Sequence, residues 1–263
     1  MIKYKKIGIF VGHSKLKDGK YTSATGIKNE YLYNKELGTN LKTWFDKIGQ
    51  SCDLIICPEG KFISAKEESG YKLPIANSGK YDLIVELHLN SYNGTAKGAE
   101  VLYSSNSGKV VAQRVQNKLK TMFTSRGIKQ RTDLYILNKT KPVSILLETF
   151  FCDNKDDCSI ADKKGVKEIS RLIAEGIIDT TIKDTCTNTT TDSTYEVNAD
   201  VLNVRKGRGT EYEKVGTLKK GDRVEIWSIS KDSKGENWGS FRYSFTPDVI
   251  GYAHIDYLKK ILY

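Results

Sequence analysis

The 263-residue sequence has no long apolar run, only three histidines and few prolines. No stretch approaches the roughly 20 apolar residues of a membrane-spanning helix, so we expect no stable membrane insertion. The basic and then apolar start resembles a secretion signal, but its apolar part is short and no small-residue cleavage site follows it. We therefore expect synthesis in the cytoplasm without a signal peptide, and we interpret residues 7–12 as a first strand.

Cysteine occurs five times, but never in a CxxC pair. The Cys52–Cys57 and Cys152–Cys158 spacings are wider than those of zinc ribbons, and Cys186 stands alone. Buried free thiols, which pack as small apolar side chains, are the better interpretation. The HExxH motif is also absent, which excludes one metallopeptidase pattern only.

Basic residues outnumber acidic ones, and the net charge is +10. Most of the excess belongs to residues 1–182, where 29 lysines and arginines stand against 20 acidic residues, a difference of +9. The electrostatic field of this positive charge attracts polyanions, among them nucleic acid, anionic lipid and anionic cell-wall polymers. An ordinary soluble basic surface explains any single run, such as Lys3 to Lys6, equally well.

A threonine-rich polar tract divides the sequence into two parts. Residues 185–194 contain no bulky apolar side chain and cannot bury enough surface to order themselves, which is typical of a linker. We predict a first domain at 1–182, a linker at 183–194 and a second domain at 195–263.

The first part alternates short apolar runs with amphipathic stretches. This alternation predicts an α/β fold with a mostly parallel sheet flanked by helices. The amphipathic stretches cover 30–48, 110–125 and 166–182, and the strand candidates are 7–12, 53–57, 83–88, 99–104, 133–137 and 144–150. The second part has short β-rich runs separated by glycine turns, which predicts a small all-β barrel.

Two of the three histidines each end a predicted strand, His13 after residues 7–12 and His88 after residues 83–87. Ligands of open α/β sheets bind outside the carboxyl ends of the strands, so both imidazoles should face one crevice. Two imidazoles, one carboxylate and a free position form the ligand set of catalytic zinc. Glu30, at the start of a predicted helix, is the best third ligand, and Glu36 and Asp18 are weaker candidates. Either histidine alone would be interpreted as structural.

Glu148 lies within an apolar strand candidate, where a carboxylate is costly to bury unless it has a partner or a task. At the same sheet edge it would lie beside a zinc-bound water, with a pKa raised by desolvation toward the range of general acid–base catalysis. A structural, hydrogen-bonded Glu148 is the alternative. Glu86 is similar, but it lies deeper in its strand and is better suited to orient His88.

Four stretches carry a family resemblance in their order and spacing: Gly12-His13, Asn29-Glu30, residues 87–91 (LHLNS) and residues 147–154 (LETFFCDN). Together they resemble the signature stretches of zinc-dependent N-acetylmuramoyl-L-alanine amidases of the amidase-3 type, over about residues 5–182. The likeness extends to catalytic domains of clostridial phage endolysins. The resemblance implies that His13, Glu30 and His88 bind Zn²⁺ and that Glu148 is the catalytic carboxylate.

The second part is similar to bacterial SH3-type domains, through residues 202–207 (LNVRKG), 217–224 (TLKKGDRV), Trp238 and 251–253 (GYA). Such domains commonly tether wall hydrolases to the cell envelope, so the resemblance implies a cell-wall-binding domain. We expect His254 to belong to the barrel and to have no catalytic role. Six aromatic residues are candidates for a groove that binds peptide or glycan, and the alternative is that half or more of the six form barrel core: Tyr212, Trp227, Trp238, Tyr243, Tyr252 and Tyr257.

The expected function is that of an endolysin-type hydrolase that cleaves the amide between N-acetylmuramic acid and L-alanine of peptidoglycan. The expected partner is bacterial peptidoglycan, with anionic wall polymers as a second candidate and nucleic acid not expected. The enzyme would reach the wall upon release during host lysis. The alternatives are an autolysin of the same activity, a zinc peptidase that cuts within the stem peptide, and a non-catalytic wall-binding protein.

Overall fold

The computed structural model describes residues 1–182, 193–232, 234–245 and 248–261. The chain divides into two compact units, Met1–Ile182 and Lys183–Tyr263. Cys186 and most of the predicted linker lie outside the described residues. Within the described ranges, no helix combines the length and apolar character needed to cross a membrane.

The first unit is built on a six-stranded sheet in the order β2-β1-β3-β6-β4-β5. All neighbouring strands are parallel except β4 and β6, which confirms the predicted α/β fold with a mostly parallel sheet. The elements are β1 (Ile7–Val11), α1 (Glu30–Lys47), β2 (Cys52–Ile55), α2 (Ala65–Ala76), β3 (Leu83–Asn90), β4 (Ala99–Tyr103), α3 (Asn106–Leu119), β5 (Ser125–Gln130), α4 (Tyr135–Asn138), β6 (Val143–Phe151) and α5 (Lys155–Ile178).

Both faces of the sheet are covered, because successive side chains of each strand point to opposite faces. Helices α1, α3 and α5 pack on one face, where Leu83, Val85 and Leu87 of β3 join the larger apolar cluster. Helices α2 and α4 pack on the other face, around Ile84. Glu86 and His88 continue the row of Ile84, so their side chains belong to the α2 and α4 face.

Several predicted boundaries were wrong. Residues 133–137 do not form a strand, because Tyr135–Asn138 is the short helix α4 and the neighbouring strand is β5. The N-cap Ser105 starts α3 ahead of the predicted stretch, since its hydroxyl accepts from the backbone N–H of Gly108. Helix α5 starts at Lys155, where Asn154 caps it, and a kink at Gly165 separates this first part from the predicted amphipathic stretch. Helix α2 was not predicted.

The second unit is all-β, as predicted, and forms two sheets in the orders β10-β7-β14 and β11-β12-β13-β8-β9. Its apolar core includes Val204, Ile226 and Phe241. Its strands are β7 (Ser193–Val197), β8 (Val201–Arg205), β9 (Lys214–Lys219), β10 (Arg223–Ile226), β11 (Ser228–Lys231), β12 (Asn237–Phe245), β13 (Asp248–His254) and β14 (Leu258–Lys260).

The aromatic side chains of the second unit divide between core and surface. Trp238 is buried, and Tyr243 packs against the apolar core. Tyr212, Trp227 and Tyr257 are exposed. His254 lies in β13 with its ring against Trp238, at a centroid distance of 5.3 Å.

The four described cysteines, Cys52, Cys57, Cys152 and Cys158, are buried free thiols, as predicted.

Candidate metal centre

His13 follows β1 directly and has an unusual backbone conformation. Its φ is 64°, in the left-handed region that residues other than glycine rarely adopt. Gly12 N–H donates to the carbonyl of Leu87 at 2.9 Å, which continues the pairing of β1 with β3 and brings His13 beside His88. Strained residues of this kind collect at functional sites, where the surrounding structure holds them.

Glu30 is the first residue of α1 and lies over the carboxyl ends of β1 and β3. Asn29 caps the helix, its Oδ1 accepting from Leu32 N–H at 3.0 Å. The Glu30 side chain is only 3% exposed, yet its carboxylate accepts backbone N–H groups from Ala24 and Leu89, each at 3.1 Å. These bonds fix the carboxylate and point it at the two histidines.

The three side chains converge on one point. Glu30 Oε1 lies 3.2 Å from His13 Nε2 and 3.0 Å from His88 Nδ1. Zinc ligands at about 2.0–2.1 Å from a tetrahedral ion are themselves roughly 3.3 Å apart, which agrees with these two distances. The three donor atoms all lie within 4.8 Å of one another and are of the kind that zinc binds. Among the described residues, one group of histidine, cysteine or acidic side chains is close enough together to bind a metal ion, and it consists of His13, Glu30 and His88. Asp18 and Glu36, the weaker sequence candidates, do not belong to it.

The electrostatics of this cluster favour a cation. Burial opposes ionisation of Glu30, but hydrogen bonds and charges of His13 and His88 outweigh it and hold the pKa of this carboxyl well below its usual range. Burial also opposes protonation of His88, but hydrogen bonds to Glu30 and Glu86, together with the charge of Glu86, raise its pKa to about 10. The negative charges of Glu30 and Glu86 thus stabilise a positive charge at the point where the donor atoms meet.

Each imidazole is also contacted at its outer nitrogen. His88 Nε2 lies 3.5 Å from Glu86 Oε2, in agreement with the orienting role considered for Glu86 from the sequence. His13 Nδ1 lies 3.5 Å from the hydroxyl of Thr22. The inner nitrogens, Nε2 of His13 and Nδ1 of His88, are thereby left to face Glu30.

Glu148 lies on β6, the strand beside β3, and its backbone pairs in register with His88. On its other side it pairs with Glu100 of β4. Its Oε2 is buried and has no hydrogen-bond partner among the described residues. Burial raises the pKa of the Glu148 carboxyl to about 7; the charge of His88 opposes this shift, while the charges of Glu30 and Glu100 add to it. An unpaired carboxyl with this pKa can exchange protons at neutral pH.

A cavity of about 720 Å³ opens over these groups on the α2 and α4 face of the sheet. It contains His13, His88 and Glu148 together with apolar side chains of β4 and β6. Sequence reasoning did not identify four further charged residues that line it, namely Lys66, Glu68 and Lys72 of α2 and Arg131 after β5. Charged residues are ordinarily exposed, so the sequence alone does not indicate that these side chains line a cavity.

Two imidazoles and a carboxylate around one point, with a second carboxyl beside them, form the donor set of hydrolytic metal sites. A family profile described as N-acetylmuramoyl-L-alanine amidase matches residues 7–179, and one described as bacterial SH3 domain matches residues 200–259. The chain therefore belongs to the N-acetylmuramoyl-L-alanine amidase family.

Among solved structures, the first unit is similar to the catalytic domain of the CD27L endolysin targeting Clostridium difficile. The two are 52% identical with a TM-score of 0.67, and the match covers 68% of this chain and 99% of that one. A 38.4 kDa Clostridium perfringens protein, described as uncharacterized, is 26% identical over 60% of this chain and 53% of its own. The endolysin of Bacillus phage SPP1 is 31% identical over 39% of this chain and 41% of its own. The chain thus spans about half the length of these curated relatives.

Proposed function

We propose that this protein is a zinc-dependent, endolysin-type peptidoglycan hydrolase. It cleaves the amide that joins the lactyl group of N-acetylmuramic acid to L-alanine of the stem peptide. Family membership and the likeness to an endolysin catalytic domain support this activity. The observation that carries the proposal is the convergence of His13 and His88 on Glu30 Oε1, at 3.2 and 3.0 Å, with Glu148 in register beside His88 on the neighbouring strand.

In this proposal His13 Nε2, Glu30 Oε1 and His88 Nδ1 hold the metal. When bound, zinc polarises the scissile carbonyl and lowers the pKa of water from 15.7 toward roughly 7. Glu148 Oε2 takes the proton of the attacking water and delivers it to the departing amine of L-alanine. The apolar side chains of Leu102 and Leu146 line the same cavity as Glu148.

The second unit is proposed to bind the bacterial cell wall, with residues 183–194 as the linker to it. Its match to a bacterial SH3 profile and its exposed aromatic side chains support this role. Removing residues 195–263 should weaken sedimentation of the protein with purified walls. The rate on a small soluble muramoyl peptide should remain unchanged. Anionic wall polymers are a further proposed partner of the first unit, because of its +9 charge.

Two variants and one product analysis test the proposed chemistry. The Glu148→Gln variant should lose wall hydrolysis and keep about one zinc per chain, whereas His88→Ala should lose the zinc itself. Loss of zinc from Glu148→Gln would instead make Glu148 a ligand.

Mass spectrometry of digested walls should show new L-alanine amino termini on intact stem peptides. Cuts between amino acids would establish a peptidase, and wall binding without any new amino termini would establish a non-catalytic binder. An autolysin would give the same products as an endolysin, so the biological setting of lysis separates those two.

A further inference from the structure

We propose that one face of helix α2 positions both imidazoles of the metal centre, with Glu68 acting on His13 through Thr22 and Lys72 acting on His88 through Glu86. The inference rests on the proposed function for the identity of the metal. It adds Thr22, Glu68 and Lys72 to the site as positioning residues.

Glu68 and Lys72 lie one helical turn apart and therefore on the same face of α2. They are 5% and 6% exposed, which is rare for charged side chains without a specific partner. Both line the cavity that contains His13, His88 and Glu148. Helix α2 thus directs one negative and one positive side chain toward the sheet edge where the histidines lie.

The contact with His13 passes through two hydroxyl groups. Thr22 Oγ1 and Ser14 Oγ both donate to Glu68 Oε1 at 2.6 Å. The Thr22 proton is directed to Glu68, and one lone pair of its oxygen accepts from the backbone N–H of Ser14 at 3.1 Å. The other lone pair is left to accept from His13 Nδ1, which is 3.5 Å away. A proton held on Nδ1 leaves the Nε2 lone pair of His13 facing Glu30.

The contact with His88 passes through a carboxylate. Lys72 Nζ donates to Glu86 Oε1 at 2.8 Å, and Glu86 Oε2 lies 3.5 Å from His88 Nε2. The carboxylate favours a proton on Nε2 and leaves the Nδ1 lone pair for the metal. Lys72 balances the charge of Glu86, which would otherwise be buried without compensation.

The two histidines therefore present different nitrogens to the centre, and each is fixed from its other nitrogen by a chain that ends on α2. Wrong tautomers and tilted rings bind metal less well, so the helix should contribute directly to metal affinity. Loss of such an outer partner commonly weakens metal binding by about 10–100-fold.

A double-mutant cycle separates positioning from general destabilisation. Zinc affinity of the full chain is measured by competition with a chromogenic chelator for Thr22→Val, Glu68→Gln and the double variant. We expect Thr22→Val to weaken affinity by about 10–100-fold. We expect Glu68→Gln to weaken it as well, and the double variant to match Thr22→Val within about twofold, because Glu68 acts through Thr22. The matched control is Glu67→Gln, the neighbouring exposed residue of α2, which should leave affinity unchanged.

The Lys72 arm uses Lys72→Met and the combined Lys72→Met, Glu86→Gln variant, since the single change leaves a buried carboxylate unpaired. The combined variant should fold but bind zinc about 10–100-fold more weakly than the wild type. The absorption bands of bound Co²⁺ should shift in the Thr22→Val and combined variants, because they report the ligand arrangement rather than the stability of the fold.

The inference would be overturned if Thr22→Val and the combined variant bound zinc as tightly as the wild type. It would also be overturned if the double variant showed the product of the separate Thr22→Val and Glu68→Gln effects. These readouts need no substrate. A wild type that binds zinc in this way but releases no L-alanine amino termini would defeat the proposed function and leave the inference standing. A wild type that binds no zinc would defeat both.

Discussion

Gly12 and His88 are so close that no side chain fits between them. A Cβ on Gly12 would lie 2.4 Å from Cε1 and 2.5 Å from Nε2 of the His88 ring. The glycine is required here by the neighbouring imidazole rather than by a positive φ, which Gly12 does not have. The backbone of β1 thus forms one wall of the pocket that holds the ring.

Gly12→Ala should displace the His88 ring and impair the metal centre. We expect zinc affinity to fall by at least tenfold and the free energy of unfolding by about 1–3 kcal/mol, as in other overpacked sites. Chelator competition and urea unfolding measure the two effects. Gly70→Ala in α2, where an added Cβ meets nothing within 4 Å, is the control and should retain the metal. Equal zinc affinity in the two variants would contradict this explanation.

Removing the metal should destabilise the first unit. A ligand at 100 times its Kd stabilises the folded state by about 2.7 kcal/mol, so a chelator should lower the Tm of this unit by roughly 5–10 °C. Calorimetry with and without a chelator measures the change. The His88→Ala variant should show no such shift, and a chelator effect of equal size in that variant would place the stabilising metal elsewhere.

Glu148 should make the stability of the metal-free protein depend on pH. Burial raises the pKa of this carboxyl to about 7, above its ordinary value of 4.5. Its contribution is therefore fully present below about pH 4.5 and is lost as the pH rises through about 7. Glutamine does not titrate, so the stability of the wild type relative to Glu148→Gln should fall across this window, by up to roughly 3 kcal/mol. Urea unfolding between pH 4 and 8 measures it, and a flat difference would refute the assignment.

Asp157 should be a strong local determinant of stability beside the site. Its buried Oδ2 accepts from the backbone N–H groups of Gly98 and Phe151, at 2.8 and 2.9 Å. Asp157→Ala leaves both donors buried and unpaired, which should cost about 2–4 kcal/mol in urea unfolding. Asp156→Ala, which removes an exposed ion pair with Lys97, should cost less than about 1 kcal/mol. Similar losses in the two variants would show that burial of Asp157 is unimportant.

The strongly patterned elements could be predicted from the sequence, and the weakly patterned ones could not. Helix α1 and the buried strands β1, β3 and β6 have clear periodic or continuous apolar signals. Strand β5 is an edge strand whose one large apolar side chain is Ile128, so it has no such signal. The run at 133–137 is apolar but short, and short apolar runs do not distinguish a strand from a helix.

The site shows the same division. The sequence singles out His13 and His88 because histidine is scarce, and Glu148 because it interrupts an apolar run. Glu68 and Lys72 could not be identified, because in a polar segment such as 65–72 a charged residue is ordinarily solvated. Their burial depends on where α2 packs, which is a tertiary property. Likewise, the left-handed backbone of His13 carries no sequence signal.

The position of β6 decides when Glu148 can reach the donor atoms during folding. This strand is the last of the six along the chain, yet it lies in the sheet between β3 and β4. A polypeptide that ends before Val143 already contains both histidines and Glu30, but the edge of β3 that pairs with β6 has no neighbouring strand. Glu148 arrives with the strand that covers this edge. The Glu148 carboxyl and the three donor atoms are therefore brought together only when the sheet is complete.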